Sequence, residues 1–509
     1  MDGSWDALVV GSGFGGSIAA CRLAQSGKRV LVLERGRRWE PTEFPRDITD
    51  VDRVFWRYPK RRRSLGLYDV RFFSGLGAVV ASGVGGGSLI YANIHIRPDP
   101  LIFASASWPA SITRATLDPY FDRVAAMLEL APLPADQPIV KRDLFRAAAA
   151  AIGREVFDPE QAVDWASCRY VAECEFGCRF GAKRSVDRTY LAVAESRGAT
   201  IAPLTEVDGI VPVAGGYRLL CREVQSGRST EFVAPLVVLA AGTLGTNQIL
   251  LRSRDRLGSL PRLSPRLGHG YSGNGDFLGA IFGARADLQP SHGSDVTSVI
   301  RFFDAAPEFT LAAPTFNHDT MLFLAGLGQG GGGNWLRPAA PLLWRGLHFL
   351  VPLICRSGLL GRVRDHADPN AAEHMTNLFA IGRDNANGVM RLDGDDLDIV
   401  WNYAAENAAL VERMERGMQE IAAAYGGTFA PLFSWRLFKR ILSVHSLGGC
   451  HLSDTPDGGV VSTHGEVHSY PGLFIADGSV VPSSIGFHPC MTIAALAERT
   501  AEKAAGRTT

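Results

Sequence analysis

Trp5-Asp6-Ala7-Leu8-Val9-Val10-Gly11-Ser12-Gly13-Phe14-Gly15-Gly16 begins as an aliphatic run, passes through four glycines and leads into a helix-like segment, Ser17 to Ser26. Gly27 closes that segment, and Arg29-Val30-Leu31-Val32-Leu33-Glu34 supplies a second strand. Near-continuous aliphatic strands of this kind belong to a parallel sheet covered on both faces. Gly11, Gly13, Gly15 and Gly16, with Phe14 among them, permit a tight turn, backbone approach to a pyrophosphate and close helix–strand packing. Glu34 lies 23 residues after Gly11, placed to accept the hydroxyls of an adenosine ribose. Strand, turn, helix, strand and acid in this order predict a dinucleotide site, but the pattern does not separate FAD from NAD.

Two further aliphatic runs, Leu236 to Gly242 and Gly472 to Gly478, read as strands of the same sheet. The fold class expected is α/β: a discontinuous Rossmann-like FAD-binding domain with an α+β substrate-binding domain. The first takes residues 1–100, 180–280 and 437–509; the second takes 101–179 and 281–436. Within the second, 294–303 and 375–400 show β-like alternation, and Leu410 to Tyr425 reads as an amphipathic helix.

With 52 basic and 52 acidic residues among 509, the chain lacks the basic excess of a nucleic-acid binder, so no nucleic-acid partner is expected. At 46% hydrophobic and 20% charged it is too apolar for a disordered protein. The chain begins with a strand-like run rather than a signal peptide, and no run of about 18 uncharged apolar residues occurs. The expectation is a soluble, cytoplasmic protein.

A second glycine cluster, Gly83-Val84-Gly85-Gly86-Gly87-Ser88, continues into Leu89-Ile90-Tyr91-Ala92-Asn93-Ile94. A backbone-only surface this long suits a flat, bulky ring such as an isoalloxazine, which favours FAD. Near the C-terminus, His445-Ser446-Leu447-Gly448-Gly449-Cys450 is followed 43 residues after His445 by His488-Pro489-Cys490-Met491. Pro489 is a suitable first helical residue, and the pattern continues to about Ala505. The amide end of that helix, aimed at a flavin's pyrimidine edge, would favour hydride acceptance. Two histidines over the reactive face could hold an alcohol between them, one as general base.

These segments resemble the glucose–methanol–choline (GMC) family of FAD-dependent alcohol oxidoreductases, most closely its cholesterol-oxidase branch. The resemblance rests on the N-terminal fingerprint, the Gly83–Ser88 loop, Ala240-Ala241-Gly242-Thr243-Leu244-Gly245, Asn274-Gly275-Asp276 and the final 65 residues. It implies bound FAD, a substrate domain roofed over the flavin and oxidation of a CH–OH group, with His445 as the active-site histidine and His488 holding the hydroxyl. It places Asp477 and Gly478 near the ribityl chain, Val207 near the adenine, and Ala241 and Gly242 in the cofactor wall. It also implies a bulky, apolar, sterol- or lipid-like alcohol, with oxygen or an electron-carrier protein as acceptor. Two departures stand out: the sterol enzymes look to have an asparagine where this chain has His488, so the pair here is His/His, and their isomerising glutamate has no clear counterpart, its place falling near Leu311. The alternatives are a dehydrogenase of a smaller alcohol or sugar, and a flavoprotein that keeps FAD for non-oxidising, lyase-like chemistry.

Cys168, Cys174 and Cys178 crowd together ahead of Gly181-Ala182-Lys183. Their spacing resembles that of family members that relay electrons through an iron–sulfur cluster, which here would be [3Fe-4S] with one thiolate per iron; free buried thiols and a labile Cys174–Cys178 bridge are the competing readings. The apolar stretch 338–360 reads either as a core helix of the substrate domain or as a peripheral membrane contact. The basic run Arg57, Lys60, Arg61, Arg62 and Arg63 could attract an anionic membrane surface or nucleic acid, but reads better as a solvated loop.

Overall fold

The computed structural model describes residues 4–57, 64–329 and 358–506. Lys60 to Arg63, the glycines 330–333 and the apolar stretch 338–360 up to residue 357 lie outside the described residues. The opening motif forms strand β1 (Ala7–Val10), helix α1 (Phe14–Gln25) and strand β2 (Val30–Leu33). To these the chain adds strand β3 (Thr200–Ala202), strand β4 (Leu236–Leu239) with helix α2 (Gly242–Leu251), and strand β5 (Leu473–Ile475) with helix α3 (Cys490–Ala504). The five strands run parallel in the order β5-β4-β1-β2-β3, with Val9 opposite both Val238 and Val32. Every residue of β1, β2 and β5 is buried, because helices α1 and α3 and a three-stranded antiparallel sheet (Thr205–Val213, Gly216–Glu223, Ser229–Ala234) pack against the parallel sheet. Strand order reverses at β1, which opens a crevice at the carboxyl ends of β1 and β4, where ligands of doubly wound sheets bind.

Helix α1 is fastened to α3 by an ion pair. Arg22 donates from Nε and Nη2 to Glu498 Oε2 and Oε1 at 2.7 and 2.6 Å, and Tyr190 Oη donates to Oε1 at 2.8 Å. The Glu498 side chain is fully buried. Removing one partner of such a pair strands the other, so Glu498→Ala is expected to cost about 3 kcal/mol. Thermal unfolding should show a midpoint several degrees lower, and an unchanged midpoint would contradict this.

A second, antiparallel sheet has the order Thr428–Pro431, Phe277–Phe282, Thr376–Gly382, Phe309–Ala312, Val299–Phe302, Glu155–Phe157. Its strand Phe277–Phe282 crosses the expected boundary at residue 280. The helix Ala408–Tyr425 covers this sheet with Leu410, Val411, Met414, Met418 and Ile421, the spacing of one helix face. Gly417 lets the stacked rings of Phe302 and Phe309 approach, since a Cβ there would lie 2.8 Å from Phe309. The alternation over 375–400 resolves into three strands, Thr376–Gly382, Gly388–Asp393 and Asp396–Val400.

Candidate active site

A cavity of about 380 Å³ runs from Glu34 and Val207 at the sheet crevice to His445 and His488 beneath the second sheet. Gly11, Gly13, Phe14 and Gly15 form one wall, and α1 begins there with Gly13 as its N-cap and no side-chain cap. The free amides of that helix end therefore face the cavity with partial positive charge. The glycines divide their work. A Cβ at Gly11 would lie 2.3 Å from the Ala240 carbonyl, at Gly15 1.3 Å from the Ala476 carbonyl and at Gly16 2.0 Å from the Gly11 carbonyl. These three let chain pass chain, and Gly16 does so away from the cavity wall. Glu34 accepts from Ser12 N and Ser12 Oγ at 3.0 and 2.6 Å and from Gly36 N at 2.8 Å. It thus ties the turn to β2 while lining the cavity.

The second glycine loop contributes Gly86, Gly87, Tyr91 and Ile94 to the wall. Gly83, Gly85 and Ser88 stand behind it: Gly83 makes room for Trp39 and Leu89, Gly85 for Asp187, and Ser88 Oγ donates to the Gly85 carbonyl at 2.8 Å. These three support the loop rather than line the cavity. Lys183, at the end of the Gly181-Ala182-Lys183 run, donates to the carbonyls of Leu89, Tyr91 and Cys174 at 3.0, 2.8 and 2.8 Å and so pins the loop from below. Ala241, Gly242, Asp477, Gly478 and Pro489 complete the wall. Asp477 is held by Ser479 Oγ at 2.6 Å and Thr246 Oγ1 at 2.5 Å. Pro489 is the N-cap of α3 rather than its first residue, and Met491 turns into the core and does not line the cavity.

The residues fit FAD. A Cβ built on Gly87 meets no protein atom within 4 Å, which leaves a cradle of the kind a flat ring fills. Asn93, fully buried between the wall residues Ala92 and Ile94, has neither amide atom partnered. Buried polar atoms of this kind need partners, and these lie directly behind the wall that the ring would rest on.

At the far end the two imidazoles stand with ring centroids 5.3 Å apart and planes at 78°. Phe379, carried by the strand Thr376–Gly382, stacks on His445 at 5.3 Å and meets His488 edge-on at 6.1 Å. Asp276 Oδ1 bonds His445 Nδ1 at 2.8 Å, and its Oδ2 accepts from the main-chain amides of Val444 and His445 at 2.7 and 2.9 Å. An ionised carboxylate only accepts, so Nδ1 carries the hydrogen and Nε2 keeps its lone pair. Burial, then the neighbouring His445, holds the His488 imidazole well below the usual histidine range, so it is neutral, and its Nδ1 has no protein partner.

Asp276 was visible in the sequence only as the end of Asn274-Gly275-Asp276; nothing there paired it with His445. The three cysteines do not assemble into a metal site. They are free, and among the described residues no group of three or more histidine, cysteine, aspartate or glutamate side chains is placed to hold a metal ion. Burial pushes the Cys174 thiol up to about 12, which disfavours the thiolate a cluster would need. The turn instead serves packing, with Gly177 lying against the Phe44 ring and the Cys174 carbonyl accepting from Lys183.

Family models of the GMC oxidoreductases match residues 6–267 with their N-terminal part and 385–497 with their C-terminal part. The chain is 31% identical to a cholesterol oxidase of Mycobacterium tuberculosis, over 98% of its own length and 91% of the relative's. It is 27% identical to a cholesterol oxidase of Acinetobacter baumannii (97% and 93% covered) and 25% identical to a long-chain-alcohol oxidase of Arabidopsis thaliana (96% and 65% covered). In fold it is similar to pyridoxine 4-oxidase from Mesorbium loti, with a TM-score of 0.67 at 18% identity over 98% of this chain and 99% of that one.

Proposed function

Because the chain belongs to the GMC oxidoreductase family, and is therefore an FAD-dependent oxidoreductase acting on alcohols, we propose that its substrate is a bulky apolar alcohol of the sterol or long-chain type. His445 is the general base and His488 the hydroxyl-binding partner. The observation that carries this reading is the pair of imidazoles at one end of the cavity, one of them locked by a buried carboxylate. Bound FAD supplies the acceptor for the hydride that leaves the carbinol carbon. The Nε2 lone pair of His445 takes the hydroxyl proton, and Asp276 stabilises the imidazolium so formed. His488, neutral and lining the cavity, holds the hydroxyl oxygen without bringing a second positive charge beside His445. Phe379 at this end, with Pro314 and Val296 elsewhere in the lining, presents apolar surface to the rest of the substrate. The names of the relatives as oxidases support oxygen as the final acceptor, reduced to hydrogen peroxide.

The test is the visible spectrum of the holoenzyme without oxygen, on addition of cholesterol, 1-dodecanol, methanol or glucose. Bleaching of the flavin band by cholesterol or 1-dodecanol, with peroxide formed on admitting air, is expected. Faster bleaching by glucose or methanol would overturn the substrate class and leave the family standing.

A further inference from the structure

His445 and His488 stand on loops from separate parts of the chain, and both loops are tied to one residue that neither motif contains. Asp384 follows the strand Thr376–Gly382 that brings Phe379 to the two rings. Its Oδ1 accepts from Ser272 Oγ and Ala386 N at 2.7 and 3.0 Å, and its Oδ2 from Gly273 N and Gly275 N at 3.1 and 2.8 Å. The three bonds from Ser272, Gly273 and Gly275 hold a turn, residues 272–276, in which Asn274 and Gly275 take left-handed conformations with φ of 54° and 64°. Asn274 in turn grips the loop before His488: Oδ1 accepts from Ile485 N and Gly486 N at 2.9 and 3.2 Å, and Nδ2 donates to the Phe487 carbonyl at 2.7 Å. Asp276, the last residue of the turn, grips His445. By a separate route, the main-chain carbonyl of Asp384 accepts from Ser484 Oγ at 2.8 Å. One residue therefore reaches the His445 loop through its side chain and the His488 loop through both side chain and main chain.

We propose that Asp384 is a positioning residue for alcohol oxidation, setting the spacing of the two imidazoles and the tautomer of His445 through the 272–276 turn and Ser484. The proposal rests on the roles given above to His445 and His488. Burial pushes the Asp384 carboxyl up to about 6, and the charge on Asp276 adds to that cost. A second buried carboxylate beside Asp276 is an expensive way to hold a turn needed for stability alone. It is a suitable way to hold one whose geometry matters, because four donors converge on two oxygens and leave the turn a single arrangement.

Asp384→Asn turns one acceptor into a donor aimed at other donors. A displacement of about 1 Å at the reacting groups costs about 100-fold in rate, so flavin bleaching by whichever of cholesterol or 1-dodecanol reduces the parent enzyme is expected to slow about 30- to 100-fold, with FAD still bound. In a His445→Ala background the same substitution should add little, since both changes remove one function. Nitrogen-15 NMR of histidine-labelled holoenzyme gives a readout that needs no substrate: His445 protonated at Nδ1 in the parent, a mixture of tautomers in Asp384→Asn. Ser272→Ala and Ser484→Ala each cut one tether, and each should slow bleaching several-fold. They also replace the first variant if it does not fold. Parental rates and parental histidine spectra in the variants that fold, or losses additive with His445→Ala, would overturn the proposal. If no alcohol bleaches the parent, the functional reading falls while the NMR still decides the positioning role.

Discussion

Replacing His445 by alanine is expected to slow alcohol-dependent bleaching of the flavin by about 1,000-fold and to leave FAD bound, since a positioned general base contributes about 10²- to 10⁴-fold. The imidazole stands at the end of the cavity and its ring packs on Phe379, so its removal vacates a site at the reacting centre without touching the glycine walls. Asp276→Asn is the sharper companion. The asparagine amide would present a donor to His445 Nδ1 and drive the hydrogen to Nε2, which abolishes the lone pair; tautomer reversal of this kind in a histidine–carboxylate pair costs about 10⁴-fold. The double variant should be no slower than the worse single one. Rapid-mixing measurement of the bleaching rate without oxygen decides the matter, with the ratio of flavin to protein absorbance as control. Full turnover in His445→Ala would remove the base assignment.

Four strands of the parallel sheet were readable because they are largely buried and so appear as uninterrupted aliphatic runs, whether at Leu8 or at Leu473, whereas the edge strand Thr200–Ala202, short and only partly buried, carries no such run. The histidine pair was readable because the resemblance fixed its two segments. What escaped the sequence is the scaffold that joins them. Asp276 and Asp384 act through contacts between residues far apart in the chain, such as Ser272 with Asp384 and Asn274 with Phe487, and no local pattern encodes a long-range hydrogen bond. Lys183 shows the same limit: its run was recognised, but its three carbonyl partners lie on two other loops. The cysteines erred the other way, since spacing brought Cys168, Cys174 and Cys178 near one another in sequence while the fold spent that turn on packing against Phe44.

Glycine substitution separates the two uses the chain makes of its glycine-rich loops. In Gly15→Ala the new methyl would lie 1.3 Å from the Ala476 carbonyl oxygen, and neither side can yield, because one belongs to α1 and the other follows β5 in the central sheet. Relief requires pulling helix from sheet. The cost should exceed the roughly 4–5 kcal/mol that marks an exceptional single substitution, a large part of the about 5–15 kcal/mol that a fold has in total. Gly15→Ala is therefore expected to yield little or no soluble folded protein. Gly87→Ala meets no protein atom within 4 Å and lies at a position without positive φ, so the fold should be indifferent to it. Its methyl enters the cavity instead, where the flat ring is expected to lie. The expected result is a protein with a parental unfolding midpoint in its FAD-free form and FAD affinity lowered about 10- to 100-fold, which is about 1.4–2.8 kcal/mol of lost contact. Flavin-to-protein absorbance after dialysis, beside thermal unfolding, reads both effects. Stoichiometric FAD in Gly87→Ala would mean the ring does not rest on this loop, and soluble, flavin-loaded Gly15→Ala would mean the helix–sheet contact is looser than the structure shows.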